Sequence, residues 1–509
     1  MAQLNYSSLQ VDDMLSKRFD DELRKARSDS EPALHTISNA ALADGPIAER
    51  RDPCQPGRVV SRYHMGTAAL VRKAVAAAKQ ASPVWRSTPY QRRCELLRAA
   101  KQKFIDGQAR LAGLASAETG KTRVESLAEM AEAVDLIEYY ASEIERNKGY
   151  IQKLQPGADE ARIDILRPYG VFGIIAPFNF PIALAVNMAT AALLTGNTAV
   201  VKPSDKTPRS TTAALLMLNA ALPPGVLNVV QGNASVGDLL AKSDVDGIVF
   251  TGSAQVGWEI IKELQAGPRR KPVLAEMGGQ NPVVVSANSD LDAAATGIVR
   301  SAFGFSGQKC SSSRRVIVER PVADALKSKL LSKTEVLKVG DPSDASANLG
   351  PVIDEAIAKR IDAALVTAKK DGKVLIGGRA DGLSGHYYKP TIVVDLPKDH
   401  ALTREELFAP FLTVTVVNSF DEAMAEANAV EYGLTAGIYT NDEKQKEQFL
   451  DQIEAGIVYV NRPAGATTGA WPGAQPFCGW KSSGSTGKGG LGPWYLPGFM
   501  REQSRTIVE

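Results

Sequence analysis

The cysteine of the segment FSGQKCSSSRR, residues 305–315, is the first candidate for chemistry. A glycine-containing turn lets the backbone approach a small substrate closely, and Lys309, Arg314 and Arg315 predict a positive local potential. Such a potential favours the thiolate, the nucleophilic form of a thiol whose unperturbed pKa is about 8.5. The segment therefore indicates a nucleophile at Cys310, with a buried structural cysteine as the alternative.

The remaining cysteines and the histidines offer no obvious partner for this thiol. Three other cysteines are far apart and form no CxxC pair, so a disulfide framework is not expected; they are Cys54, Cys94 and Cys478. The histidines show no zinc spacing with a cysteine; they are His35, His64, His386 and His400. We therefore expect no metal site, and a group other than an obvious histidine must activate the thiol.

Two polar residues beside apolar runs are candidates for acid–base chemistry and oxyanion stabilisation. Glu276 ends an apolar run in LAEMGGQNPVVV, where a carboxylate is expensive to bury unless it is paired or functional. It is a candidate general base for water, with a solvated strand-end glutamate as the alternative. Asn179 follows a predicted strand in IIAPFNFP, and its amide can donate to an oxyanion, although a turn-forming asparagine is the commoner explanation.

Two further segments have features of a dinucleotide site. VVKPSDKTP places Lys202, Ser204 and Asp205 where a predicted strand ends, and doubly wound sheets bind dinucleotides at such ends. A solvated loop is equally compatible with this segment. FTGSAQVG has Gly252 and Gly257 around a strand-to-helix junction that can cradle a phosphate, but it lacks a full GxGxxG motif.

Alternating strands and helices must position these residues. Residues 1–60 are predicted to form a polar arm with one helix near 10–27, and residues 67–146 show helical spacing of apolar side chains. Segment 147–168 contains a Pro-Gly turn and alternation, which predict a protruding hairpin. Beyond it, short β-rich runs alternate with helical stretches, a pattern typical of parallel sheets covered on both faces. The predicted fold class is therefore α/β, with two α/β layers.

Composition excludes several classes of partner. The 509 residues suffice for two or three domains, and the net charge of +2 indicates neither a nucleic-acid nor a membrane-surface partner. The longest apolar stretches are broken by turns, and the polar N-terminus lacks the apolar core of a signal peptide. We therefore expect the chain in the cytoplasm, with the mitochondrial matrix as the alternative.

In this order and at these separations, the motifs PFNFP, KPSD, FTGS, EMGGQNP, GQKC and EELFAP resemble the aldehyde dehydrogenases from about residue 50 onward. The resemblance implies that Cys310 is the nucleophile, that Glu276 is the general base and that Asn179 joins the Cys310 backbone N–H in an oxyanion hole. In such enzymes a thiolate adds to the aldehyde and the thiohemiacetal gives hydride to the nicotinamide. A water deprotonated by the glutamate then hydrolyses the thioester.

The resemblance also implies a cofactor site and a domain organisation. The cofactor contacts would be Lys202, Ser204, Asp205, Phe250, Gly252, Ser253, Glu406 and Phe408. NAD is expected over NADP, because the carboxylate of Asp205 would repel a 2′-phosphate. The implied fold has a Rossmann-like NAD domain (1–146 and 169–275), an α/β catalytic domain (276–480) and a small β oligomerisation element (147–168 and 485–509). A homodimer or higher homo-oligomer is implied.

The stretch YVNRPAGATTGAWPGAQPF resembles the branch of the family that oxidises L-glutamate γ-semialdehyde in proline catabolism. In that branch a Thr-Gly-Ala/Ser turn and the serine after the nucleophile hold the substrate carboxylate, two aromatics enclose its chain, and a helix glutamate faces its amino group. The matching residues are Gly469, Ala470, Ser311, Phe180, Phe477 and Glu129. A helix-face glutamate without this role is the alternative for Glu129. Because no flavin domain precedes the motifs, a monofunctional enzyme is expected.

The chain departs from the pattern of that branch at several positions. Cys478 replaces a glycine of the usual QPFGG, and Trp471 and Pro472 replace small aliphatic residues. Gln280 replaces the usual lysine. These changes leave open a pocket for a bulkier or more apolar aldehyde. A dehydrogenase of an aromatic or aliphatic aldehyde is thus the second hypothesis, and a catalytically retired binding protein is a third, which the intact catalytic set disfavours.

Overall fold

The computed structural model describes residues 11–29, 31–157, 159–267, 270–464 and 471–508. Over these ranges the chain forms α-helices and β-strands that are numbered in chain order. None of the helices in the described ranges is both long enough and apolar enough to cross a membrane.

The elements fall into three successive groups. The first contains α1 (Asp13–Ser28), β1 (Pro32–Ala33), β2 (His35–Ile37), β3 (Ala40–Leu42), β4 (Ile47–Arg51), β5 (Val59–His64), α2 (Ala68–Ser87), α3 (Tyr90–Asp106), α4 (Gln108–Thr119) and α5 (Arg123–Arg146). The second contains β6 (Ile151–Lys153), β7 (Glu160–Pro168), β8 (Val171–Ile175), α6 (Ala183–Leu194), β9 (Thr198–Lys202), α7 (Pro208–Asn219), β10 (Leu227–Val229), α8 (Ala234–Lys242), β11 (Gly247–Thr251), α9 (Ala254–Ala266) and β12 (Val273–Glu276). The third contains β13 (Asn281–Val285), α10 (Leu291–Phe303), β14 (Ser313–Glu319), α11 (Ala323–Glu335), α12 (Glu355–Asp371), β15 (Lys373–Ile376), β16 (Thr391–Val394), α13 (Ala401–Arg404), β17 (Phe411–Val417), α14 (Phe420–Asn428), β18 (Tyr432–Gly433), β19 (Thr435–Tyr439), α15 (Glu443–Gln452), β20 (Ile457–Val460), β21 (Trp480–Lys481) and β22 (Met500–Val508).

The first sheet has the strand order β12-β11-β8-β9-β10-β2-β3. Neighbouring strands are parallel from β12 to β10, and β2 joins β10 antiparallel. Strands β8 (VFGII) and β9 (TAVVK) are buried along their whole length, as expected for apolar runs in a sheet covered on both faces. The chain leaves β8 toward β9 on one side and returns to β11 on the other. The crevice beside β8 is thus the topological switch point at which such sheets bind ligands.

The second sheet has the order β15-β16-β17-β14-β13-β19-β20, and all neighbouring pairs are parallel except β15 with β16. Strand β12 of the first sheet ends at Glu276, and β13 of the second begins at Asn281. The short link MGGQ therefore joins the two sheets directly. The predicted α/β class with two layers is confirmed.

The predicted hairpin is present as the strands β6 and β7. The C-terminal strand β22 completes a three-stranded antiparallel sheet with them, and its register runs from Met500 opposite Pro168 to Val508 opposite Glu160. The side chains of Ile507 and Val508 on β22 remain exposed. The sheet therefore contains residues from both parts of the predicted oligomerisation element, 147–168 and 485–509.

The segment before β22 packs differently from that grouping. Leu491, Tyr495, Leu496 and Phe499 belong to the hydrophobic core that also contains α5, α6 and β8. The ring centroid of Phe499 lies 5.0 Å from that of Phe172, and its carbonyl accepts a hydrogen bond of 2.9 Å from the Asn197 amide. Part of the segment 485–509 thus belongs to the hydrophobic core around α5, α6 and β8.

The N-terminal arm is more ordered than its composition indicates. The predicted helix is α1, but residues 32–64 also form five strands, which the sequence analysis missed. These strands are two to six residues long, and β2 pairs with β10 almost 200 positions away, so no local pattern marks them. Arg27 anchors α1 through a bidentate pair with Asp341, at 2.9 Å for each bond.

Candidate active site

One cavity brings together most of the predicted catalytic and substrate residues. It lies where the carboxyl edge of the first sheet faces the nucleophile loop of the second. Its lining residues are Glu132, Phe180, Leu184, Asn187, Thr251, Glu276, Lys309, Cys310, Ser311, Phe477, Gly490 and Leu491. Cys310 and Glu276 thus share a cavity although 34 positions separate them in the sequence.

A strained turn presents Cys310 to this cavity. Phe305, Ser306 and Gly307 all have positive φ angles of 49°, 51° and 67°. A Cβ atom on Gly307 would lie only 2.1 Å from the carbonyl oxygen of Ala409, so this position requires glycine. The hydroxyl of Ser306 donates to the Gly350 carbonyl at 2.6 Å and holds the turn in place.

Side-chain amides fix the backbone on both sides of the nucleophile. The Asn281 amide donates to the carbonyls of Cys310 at 2.7 Å and Ser312 at 2.8 Å. Gln308 accepts from the backbone N–H of Ile353 at 2.8 Å. These contacts immobilise the loop in which the Cys310 backbone N–H lies, as an oxyanion donor must be.

The prediction that the surroundings of Cys310 favour its thiolate is wrong. Arg314 is buried and donates to the carbonyls of Gly307 and Lys309, while Lys309 pairs with Glu125 at 2.7 Å. Burial, together with the nearby carboxylates of Glu406 and Glu276, raises the pKa of Cys310 to about 12. The thiol is therefore protonated at neutral pH and needs a base, because the cations of the segment are used to hold backbone and carboxylate groups.

Glu276 is positioned at the end of β12 to act as that base. It is opposite Thr251 in the register of the first sheet, and its Oε1 accepts a hydrogen bond of 2.7 Å from the backbone N–H of Gly490. Burial raises the pKa of Glu276 to about 7, and the Gly490 N–H opposes the rise. A carboxyl group with this pKa exchanges protons near neutral pH, as general acid–base catalysis requires.

Asn179 lies in the loop between β8 and α6 and reaches the nucleophile loop. Its Oδ1 accepts from the Phe180 backbone N–H at 3.1 Å, and its Nδ2 donates to the Gln308 carbonyl at 3.2 Å. These two bonds orient the amide with its nitrogen toward the loop that contains Cys310. An amide nitrogen carries two hydrogens, so the second can serve an oxyanion.

Most of the predicted cofactor residues lie along the carboxyl edge of the first sheet. Lys202 is opposite Ile175 in the register, and Ser253 is the N-cap of α9 just beyond β11. The Lys202 ammonium donates to the carbonyls of Pro203 and Gly232, and burial lowers its pKa to about 8. The carboxylate of Asp205 raises the Lys202 pKa and is therefore close to it. Ser204 is buried and directly precedes Asp205 in the chain.

The other two predicted cofactor residues, Glu406 and Phe408, lie near the segment that joins the two sheets. Glu406 accepts a hydrogen bond of 3.0 Å from the Gly279 N–H, and a Cβ atom on Gly278 would lie 2.0 Å from its Oε2. Phe408 has a φ angle of 57°, and its ring makes an edge contact with Phe178, with centroids 5.9 Å apart.

Together these groups fit a dinucleotide. A strand-end lysine and two carboxylates suit ribose hydroxyls, and the N-terminus of α9 suits a phosphate. Gly252 and Phe250 are in contact with each other at the end of β11, where a Cβ on the glycine would meet the ring at 2.4 Å. Glycine is thus needed for the chain to turn from β11 into α9.

The prediction that Glu129 faces the substrate is wrong. Its carboxylate is fully buried, pairs with Lys121, and accepts from the N–H groups of Ile182 and Ala183 at the start of α6. Glu132, three residues further along α5, lines the cavity instead. Sequence spacing on a helix leaves both candidates open, since residues three apart share a face.

The other substrate residues divide into two sets. Phe180, Phe477 and Ser311 line the cavity as predicted, whereas Gly469 and Ala470 lie outside the described residues. The sequence analysis did not assign Lys309, which also lines the cavity. Its signal was its position directly before the nucleophile.

The departures from the branch pattern do not line the cavity. Trp471 is buried with its indole nitrogen 2.8 Å from Oδ2 of Asp135 on α5. The thiol of Cys478 is directed at the Gly456 carbonyl, 3.3 Å away. Gln280 donates to the Leu402 carbonyl at 3.3 Å. The substitutions therefore do not turn the described part of the cavity wall into an apolar surface.

Across the described ranges, no three His, Cys, Asp or Glu side chains are grouped as a metal site would require. Cys54 and Cys94 are buried away from Cys310 as separate thiols.

Comparisons with known proteins agree with this geometry. The model of the aldehyde dehydrogenase family matches residues 43–504. The chain is 36% identical over 466 residues to 1-pyrroline-5-carboxylate dehydrogenase 1 of Halalkalibacterium halodurans, covering 90% of this chain and 89% of the relative.

Two solved structures are similar throughout. A 1-pyrroline-5-carboxylate dehydrogenase from Thermus with bound NAD superimposes with a TM-score of 0.94 at 29% identity, covering 100% of this chain and 99% of the other. Proline utilization A from Bdellovibrio bacteriovorus superimposes with a TM-score of 0.92 at 32% identity. That match covers 97% of this chain, which spans about half (52%) of the other.

Proposed function

The chain belongs to the aldehyde dehydrogenase family, and we propose that it oxidises L-glutamate γ-semialdehyde to L-glutamate with NAD as the hydride acceptor. The observation that carries the proposal is the shared cavity of Cys310 and Glu276, which has aromatic walls and charged groups at one place. An amino-acid aldehyde needs both kinds of surface. The similarity to dehydrogenases of 1-pyrroline-5-carboxylate, the cyclic form of this aldehyde, supports the same substrate.

The substrate is oriented by groups of opposite charge. Phe180 and Phe477 enclose its methylene chain, and the carboxylate of Glu132 faces its ammonium group. Ser311 is the described donor for its carboxylate, and the backbone of Gly469 and Ala470 would supply the others. Neutral donors suit this task because they bind an anion without adding a buried charge. Remote contacts of this kind orient the aldehyde carbon for attack.

The chemistry needs two proton transfers at one carboxylate. Glu276 accepts the proton of the Cys310 thiol, the sulfur adds to the aldehyde, and the amide of Asn179 donates to the oxyanion. Lys202 and Glu406 would hold NAD, which would accept the hydride when bound. Once the thioester has formed, Glu276 releases the thiol proton to solvent and becomes a carboxylate again. It then takes a second proton from water, and the hydroxide displaces the acid from the Cys310 sulfur, which leaves as thiolate.

Substrate discrimination tests this function. Because the amino-acid end supplies binding energy, kcat/KM for glutamate γ-semialdehyde is expected to exceed that for propanal by at least about 100-fold. Steady-state rates for both aldehydes and for hexanal and benzaldehyde, at fixed saturating NAD, measure it. Glu132→Gln should lower the ratio of kcat/KM for the semialdehyde to kcat/KM for propanal. Glu138→Gln, at the surface of the same helix, should leave this ratio unchanged. Higher efficiency with hexanal or benzaldehyde would reject this substrate.

Cofactor discrimination tests the role of Asp205. Its carboxylate lies beside Lys202 and would repel a 2′-phosphate, so kcat/KM is expected to be about tenfold or more higher with NAD than with NADP. Asp205→Ser should reduce this ratio. The control variant is Asp238→Ser, a surface carboxylate on α8 that pairs with Lys242. Equal efficiencies of the wild type with both cofactors would contradict the assignment.

We propose that the chain assembles through the three-stranded sheet of β6, β7 and β22. β22 is an edge strand with two exposed apolar side chains, Ile507 and Val508. Exposed edges with apolar side chains are prone to pair with another chain. We therefore propose a homodimer or higher homo-oligomer that uses this sheet.

A further inference from the structure

We propose that the hydrogen bond between Trp471 and Asp135 is a latch that positions the substrate wall of the cavity and so sets the KM for an amino-acid aldehyde. The inference deepens the proposed function and rests on it. Trp471 and Asp135 are positioning residues, because neither lines the cavity.

The latch is a strong contact in a position that a small side chain could not use. The indole Nε1 donates to Oδ2 of Asp135 at 2.8 Å, and the Trp471 side chain is only 2% exposed. An indole nitrogen is a donor only, and a bond to a carboxylate is stronger than one between neutral groups.

On one side the latch is connected to α5. Glu132, Asp135 and Tyr139 follow each other at spacings of three and four residues, so they lie along one face of this helix. Glu132 lines the cavity, Asp135 accepts from Trp471, and Tyr139 packs under the turn that follows Trp471. A Cβ atom on Gly473 would lie 2.9 Å from the Tyr139 ring, which shows how closely the turn approaches the helix.

On the other side the latch is connected to the cavity wall. The N–H groups of Ala474 and Gln475 donate to the Trp471 carbonyl and close the turn that leads to Phe477. The Phe477 N–H donates to the Gly490 carbonyl at 2.8 Å, and the Gly490 N–H holds Glu276. The latch thus fixes the distance between the Phe477 wall and the Glu132 face of α5.

The latch acts on the amino-acid end of the substrate, because Glu132, the residue proposed to face the substrate ammonium group, lies on the same face of α5 as Asp135. The Cys310 loop is anchored separately, through Asn281 and Gln308, and strand β12, which carries Glu276, is held by its pairing with β11. Loss of the latch should consequently weaken binding of the amino-acid end and spare the reaction at the aldehyde.

The experiment measures kcat and KM for glutamate γ-semialdehyde and for propanal at saturating NAD in the wild type and four variants. Trp471→Phe removes the donor and keeps an aromatic ring, Asp135→Ala removes the acceptor, and Asp135→Asn keeps an acceptor oxygen. The fourth variant combines Trp471→Phe with Asp135→Ala. For the semialdehyde we expect KM to rise about tenfold in both single variants with kcat changed by less than about twofold. The double variant should also lose about tenfold rather than 100-fold, and Asp135→Asn should stay near the wild type.

Propanal provides the internal control, because its kcat/KM should not change in any variant. Trp85→Phe is the matched control: Trp85 is equally buried, and its indole donates to the Leu193 carbonyl at 3.0 Å, outside the cavity. It should leave both KM values unchanged. An unchanged KM for the semialdehyde in both single variants, an equal loss for both aldehydes, or additive losses in the double variant would overturn the latch. A wild type that prefers propanal would overturn the proposed function instead, before any variant is compared.

Discussion

Replacing Cys310 by alanine is expected to lower kcat/KM for every aldehyde by about 10⁴-fold or more and to leave NAD binding unchanged. The thiol sulfur is the atom that bonds to the substrate, and no other described side chain of the cavity can replace it as a nucleophile of this kind. The assigned cofactor contacts lie at other positions, along β9, α9 and the loop of Glu406. Initial rates with glutamate γ-semialdehyde and NAD titration by fluorescence measure the two properties separately.

Cys478→Ala is the control for this variant. Its thiol lies in the neighbouring loop, directed at the Gly456 carbonyl, and does not line the cavity. We expect activity within about threefold of the wild type, a range typical of substitutions outside a catalytic unit. Appreciable aldehyde oxidation by Cys310→Ala would show that another group is the nucleophile.

Replacing Glu276 by glutamine is expected to produce a burst of about one NADH per active site, followed by turnover reduced about 10²- to 10⁴-fold. In the first half of the reaction bulk base can replace Glu276 in accepting the thiol proton, so thioester formation is expected to remain faster than thioester hydrolysis. The second half requires a base beside the thioester, and an amide is not one. The amide oxygen can still accept from the Gly490 N–H, so the variant should keep its fold. Rapid mixing with detection of nicotinamide absorbance resolves the two phases.

The pH profile gives a second readout of the same group. Burial raises the pKa of Glu276 to about 7, and the carboxylate is the active form. The steady-state rate of the wild type should therefore increase as the pH rises through about 7 and decrease as the pH is lowered through this value. Glu276→Gln should lose this inflection, and supplying stronger base should partly restore its rate. Wild-type turnover by the variant, or an unchanged inflection, would remove Glu276 from the role of base.

Much of the fold can be predicted because parallel strands leave a local mark. VFGII, TAVVK and GIVFT are short runs of apolar residues, and each lies where the sequence analysis expected a strand. The strands of the N-terminal arm leave no such mark. β2 and β3 have only three residues each and pair with each other, and β2 joins the sheet through β10, which comes from a distant part of the chain.

The candidate site divides in the same way. Residue types at loop positions, such as Cys310 and Asn179, can be identified from motifs because the chemistry demands them. The electrostatics cannot, because a charge acts according to its neighbours in space. Arg314 donates to backbone carbonyls and Lys309 pairs with Glu125, while burial and the carboxylates of Glu406 and Glu276 from distant segments raise the pKa of the thiol. Glu129 and Glu132 differ for the same reason, since only the structure shows which of them Lys121 neutralises.

The packing of the C-terminal segment has a consequence for biosynthesis. Tyr495, Leu496 and Phe499 complete the core around α5, α6 and β8, and β22 pairs with β7 more than 300 positions upstream. Domains commonly fold in order as they leave the ribosome. Here the N-terminal layer must wait until residues 491–508 have been synthesised, so its apolar core stays incomplete until that point of translation. A nascent chain of this kind exposes a large unpaired surface for tens of seconds, at about 5–20 residues per second, and is a natural client for chaperones.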